Sequence, residues 1–136
     1  MGKPDRAQLE DLVRRFTDAF NRDDLDEVMS FFTEGALYTE FNGQRNRGKE
    51  AIRRAFEPQF QGAFGEIRFH EQDIFADETE GKALIRWKCT IEVDGKPQAW
   101  DGLDILHFED ALIKEKHTYA KADVPKLEAV KDKGAA

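Results

Sequence analysis

Apolar residues recur at helical spacing from the start of the chain. Leu9, Leu12, Val13, Phe16 and Phe20 form one stripe and predict a helix over Ala7–Asn21. Asp5 and Gln8 stand at the spacing of a capping box ahead of it. A short second helix follows, opened by Asp24 and Glu27 and burying Leu25, Val28, Met29 and Phe32. Gly35 marks its expected stop. Ala36–Phe41 reads as a short strand, and Asn42-Gly43 turns the chain. A third helix begins near Gly48, turns Ile52, Ala55, Phe56 and Phe60 inward, and should end or kink at Pro58.

The second half changes period from helical to alternating. Strands are expected near Glu66–Phe75, Lys82–Val93, Pro97–Phe108 and Leu112–Ala120. Asp94-Gly95 has tight-hairpin chemistry, and Glu109-Asp110 is a second turn. Ala83, Ile85, Trp87, Cys89, Ile91 and Val93 share one parity, and charged residues fill the other. In Pro97–Phe108 both faces carry apolar residues, with Leu103 and Ile105 opposite Leu106 and Phe108, so both sides need cover. Helices grouped first and hairpins after them predict an α+β domain, three helices covering one face of a curved antiparallel sheet. The expected division is a flexible N-terminus at 1–6, the domain at 7–120 and a tail at 121–136, where Leu127 and Val130 could pack a last turn.

Composition narrows the function classes. The chain has 136 residues, 40% of them hydrophobic, with 11 Phe, enough for a core and an apolar pocket without staples. Its formal charge of -7 argues against a nucleic-acid partner. The basic run Arg45, Arg47, Lys49, Arg53 and Arg54 is read as a solvated loop and helix face. The single cysteine, Cys89, excludes an internal disulfide framework and looks like a buried small hydrophobe. With no signal-peptide pattern near Met1 and no run of bilayer-spanning length, the expected setting is cytoplasmic, away from membranes.

Few residues stand out chemically. Asp104 sits inside a strand pattern beside Leu106 and Phe108, where a carboxylate needs partners or stays protonated. A protonated Asp104 could donate to an oxyanion; paired with a lysine it would be structural. Glu40 shares parity with Tyr38 and could act as a general base. Tyr38, Trp87 and Trp100 are candidate cavity walls or core residues. On the last strand Lys116 and Thr118 share one face, and Glu115, His117 and Tyr119 the other; the sequence leaves open which meets a cavity. His107 and His117 could approach across adjacent strands, but no spaced motif makes a metal site specific, and none is expected.

Three segments, LVRRFTDAFNRDDLDEVMSFFTEGALYTEF, NGQRNRGKEAIRRAF and WDGLDILHFEDALIKEKHTYAK, give the chain a resemblance to the nuclear transport factor 2-like superfamily. It resembles in particular the SnoaL-like and ketosteroid-isomerase-like branches, over about Leu9 to Ala120. The resemblance implies a cone-shaped α+β barrel, its strongly curved antiparallel sheet wrapped around the N-terminal helix, with a pocket at the wide end. It also implies a homodimer through the outer sheet face. Glu40 falls at the proton-shuttling base of the isomerase-like branch, and Asp104 matches its neutral oxyanion donor. Phe16 stands where that branch has a second donor, a Tyr. In the epoxide-hydrolase-like branch Thr118 replaces one Asp of an Asp–Arg–Asp set, and Arg86-Trp87-Lys88 does not reproduce the middle pair.

The expected function is binding of a small apolar molecule, with proton transfer next to a carbonyl as its chemistry. Glu40 and Asp104 are the catalytic candidates; Phe16, Tyr38, Trp87, Trp100, Lys116 and Thr118 are the ligand-binding ones. No cofactor is called for. The alternatives are a non-enzymatic dimeric interaction module and an epoxide-hydrolase-like enzyme.

Overall fold

The computed structural model describes residues 2–130. Met1 and residues 131–136, the outer ends of the expected termini, lie outside the described residues. Nine elements follow in order: helices α1 (Arg6–Asn21) and α2 (Leu25–Ser30), strands β1 (Phe32–Thr39) and β2 (Arg45–Arg47), helix α3 (Lys49–Phe60), then β3 (Arg68–Asp77), β4 (Lys82–Val93), β5 (Lys96–Glu109) and β6 (Leu112–Ala120).

Local chemistry explains most boundaries. Asp5 and Gln8 close the expected capping box on α1, each bond 2.8 Å. Asp24 caps α2 by accepting from the Glu27 backbone N–H at 3.0 Å. Asp94 and Gly95 both have positive φ, 51° and 76°, as a tight hairpin between twisted strands requires. α3 runs two residues beyond Pro58 before the chain leaves helix.

Three local expectations are corrected. The second helix stops at Ser30, not near Gly35, and Phe32 opens β1. The cause is long-range: the Phe31 carbonyl accepts from the Ile113 N–H at 2.7 Å, and Phe32 pairs with Ile113, so β6 pulls this segment into the sheet. Leu127 and Val130 are exposed and belong to no element. β2, within the run read as loop and helix face, was not expected as a strand; it pairs with β1 across the Asn42-Gly43 turn.

The larger correction concerns the sheet. Its order is β2-β1-β6-β5-β4-β3, and β1 runs parallel to β6 while the other neighbours are antiparallel. The sheet is therefore mixed rather than antiparallel. It is open, with β2 and β3 at its edges, and it is neither closed into a barrel nor strongly curled. Closure would require β2 to meet β3, but β2 is three residues long. The three expected helices are present among the described residues.

α1 lies against β3 and β4, and Leu9, Val13, Phe16 and Phe20 are buried along its sheet-facing stripe. The inner sheet face contributes Ala83, Ile85, Trp87 and Cys89 from β4 and Leu106 and Phe108 from β5. On β6, Lys114 is an extra residue: His107 pairs with Glu115, yet Phe108 pairs with Ile113. This bulge resets the alternation, so that Ile113, Lys116 and Thr118 are all buried although their numbers differ in parity.

Candidate functional site

The inner face of the sheet, α1 and α3 surround a cavity of about 440 Å³. That is within the usual range for small-molecule sites. Phe16 and Phe20 of α1, Phe56 of α3, and Phe69, Trp87 and Trp100 of the sheet make most of the wall apolar. Exposed Phe41 and Phe64 stand on the same lining.

Every residue singled out from the sequence as a site candidate lines this one cavity: Phe16, Tyr38, Glu40, Trp87, Trp100, Asp104, Lys116 and Thr118. Glu40 and Asp104, 64 positions apart in the chain, meet there because β1 lies beside β6 and β6 beside β5. The bulge at Lys114 decides which face of β6 looks inward, the question left open by the sequence.

Asp104 is the centre of the polar part. Its Oδ2 accepts from Trp87 Nε1 at 3.1 Å, and its Oδ1 accepts from Thr118 Oγ1 at 2.5 Å and from Lys116 Nζ at 3.0 Å. Lys116 Nζ also donates to Thr118 Oγ1 at 2.7 Å. Both members of the ion pair are buried, with side chains 6% and 10% exposed. Every partner named here donates to Asp104, so the carboxyl serves as an acceptor in place of the expected oxyanion donor. A lysine ammonium has three N–H groups. Two are spent on Asp104 and Thr118, and Nζ sits 4.5 Å from the Tyr38 ring centroid, over its face.

Glu40, just beyond β1, is half-buried, and one carboxylate oxygen accepts from Asn46 Nδ2 at 2.9 Å. The Asn46 amide also reaches the Tyr38 carbonyl, tying β2 to the Glu40 side chain. Burial, and then the Asp104 and Glu40 carboxylates, push the Tyr38 phenol well above its ordinary range. The two acids therefore act on the same hydroxyl. Cys89 also lines the cavity; burial pushes its thiol up to about 12, which keeps it protonated and unreactive.

Gly102 makes room for the wall. It pairs with Trp87 across β4 and β5, and a Cβ there would meet the Tyr119 backbone oxygen and come within 2.7 Å of the Trp87 ring. Phe16 contacts Phe20, Phe31 and Phe32 edge to face and brings no hydroxyl. Arg86 is exposed and pairs with Gln72 at 2.9 Å; no arginine lines the cavity among the described residues, so an Asp–Arg–Asp set is not assembled. Asn46 and the structural part of Gly102 were missed from the sequence, and the lysine weighed there as a partner of Asp104 is now identified as Lys116. Only the spacing of Lys116 two before Thr118 hinted at which lysine it is.

A family model described as a SnoaL-like domain matches residues 13–116. None of the curated proteins matches the chain. Among solved structures, a candidate polyketide cyclase from Xanthomonas campestris pv. campestris has 17% identity and a TM-score of 0.77, covering 84% of this chain and 90% of that one. A candidate SnoaL-like polyketide cyclase from Jannaschia sp. CCS1 has 14% identity and a TM-score of 0.75, over 88% and 90% of the two chains. An NTF2-like protein of unknown function from Burkholderia pseudomallei K96243 has 15% identity and a TM-score of 0.72, over 84% and 91%. These likenesses establish the fold. No helix of the described residues is long and apolar enough to cross a membrane.

Proposed function

The chain belongs to the SnoaL-like family of the nuclear transport factor 2-like superfamily, and on that footing we propose that it binds a small, mostly apolar carbonyl compound and moves a proton beside the carbonyl. The observation behind this is a single cavity, apolar over most of its wall, that contains Glu40, Asp104 and Lys116. Isomerisation and aldol-type cyclisation share this proton transfer as their first step.

In the proposed reaction the ligand carbonyl points to Lys116 and its α-carbon to Glu40. The Glu40 carboxylate takes the α-proton, the C–H electron pair forms a C=C bond as the carbonyl π pair moves onto oxygen, and the enolate oxygen accepts a hydrogen bond from the third N–H of Lys116. Glu40, now protonated, returns the proton to carbon. Asn46 holds the Glu40 carboxylate in place, and Asp104 with Thr118 holds the ammonium. A cation in a poorly hydrated cavity stabilises an enolate strongly because little water competes.

The chain has two tryptophans, and both line the cavity. Ligand uptake is read from their fluorescence, and catalysis from deuterium exchange of α-protons on a panel of ketones, followed by NMR. Glu40→Gln should leave binding near wild type and slow exchange by roughly 10²–10⁴-fold, the usual worth of a positioned base. Bound ketones that exchange at equal rates with wild type and Glu40→Gln would remove the base and favour the non-enzymatic reading.

A further inference from the structure

Outside the cavity, the opposite face of the same strands gathers a second set of chemical groups. His107 of β5 and Glu115 of β6 are direct cross-strand partners, and His117 lies two residues along β6 on the same face. His117 Nε2 is 2.7 Å from Glu115 Oε1, and His107 Nδ1 is 3.7 Å from that same oxygen. One donor atom from each of the three lies within 4.8 Å of the others. The two imidazole centroids are 5.4 Å apart. His117 Nδ1 is held 2.7 Å from Thr39 Oγ1, which leaves Nε2 as the nitrogen facing the carboxylate.

We propose that His107, Glu115 and His117 form a binding site for a divalent transition-metal cation of the zinc class on the outer face of the sheet. Two imidazoles and one carboxylate are a recurrent donor set for borderline cations, with positions left for water. Bonds of about 2.1 Å place neighbouring donors roughly 2.9–3.4 Å apart, a small adjustment from the observed contacts. The side chains are 25%, 36% and 22% exposed, so ions can reach them while the strands restrict their motion. Thr39 supplies the hydrogen bond to the non-ligating nitrogen that orients a metal-bound histidine. The bulge at Lys114 is the device that brings Glu115 and His117 to the face of His107. The site is separate from the cavity and independent of the proton-transfer proposal.

The test is titration of the metal-free chain with Co²⁺, followed by visible absorption and by NMR of the histidine rings, and with Zn²⁺ against a chromophoric chelator. One ion should bind per chain. Paramagnetic shifts should appear on the rings of His107 and His117 and not on His70, which lies on β3 beside Thr90. His107→Gln, Glu115→Gln and His117→Gln should each weaken binding at least tenfold, and His70→Gln should leave it unchanged. If a variant fails to fold, the ring shifts in the wild type decide. Absence of uptake, equal shifts on all three histidines, or one ion shared by two chains would overturn the site.

Discussion

At the scale of single residues, the Asp104–Lys116 pair is the most consequential contact. Burying two charges is offset only when each is well partnered, and here Trp87 and Thr118 complete the shell. Asp104→Ala leaves a buried ammonium without its counter-ion and should cost roughly 3–5 kcal/mol. The double change Asp104→Leu with Lys116→Met should recover most of that stability, measured by urea unfolding, while abolishing the proposed exchange activity. Asp104 was visible in the sequence because a carboxylate interrupts an apolar strand face. Lys116 was harder to place, since a lysine in an alternating charged segment is usually solvent-facing. Its inward position depends on one inserted residue, Lys114, which alternation counting cannot detect.

At the scale of elements, β4 and β5 were legible almost residue for residue, because a tight Asp94-Gly95 turn fixes their register. β1 was not. Its start at Phe32 and its parallel pairing come from β6, about 80 positions away, and no local propensity encodes a partner so distant. The same limit explains why an open mixed sheet replaced the expected barrel. Within β4 and β5, Gly102 and Trp87 act as a unit. Gly102→Ala should force the Trp87 ring aside, destabilise the fold by about 1–3 kcal/mol and weaken the Trp87 to Asp104 bond. Near-UV circular dichroism should report it, since Trp87 and Trp100 pack edge to face with centroids 5.0 Å apart.

At the scale of the whole molecule, the cavity adds an alkaline limit to stability. Cys89 is raised from 9.0 to about 12 and Tyr38 is raised in the same direction, both chiefly by burial. An acid raised by folding stays neutral in the native state while the unfolded chain ionises. Its contribution is complete below the unfolded value and declines as pH climbs toward the folded one. Unfolding free energy should therefore fall above pH 9.0, by at most roughly 1.4 kcal/mol per pH unit for the thiol, with thermal midpoints falling alongside, and Cys89→Ala should flatten part of that slope. The open sheet has a further consequence at its two borders. β2 is three residues long with arginine at both ends, and β3 carries a register shift between Glu71 and Asp73 amid charged neighbours. Neither border offers a long flat template on which another molecule's strand could zip. The fold can thus leave its sheet unclosed without inviting fibril growth.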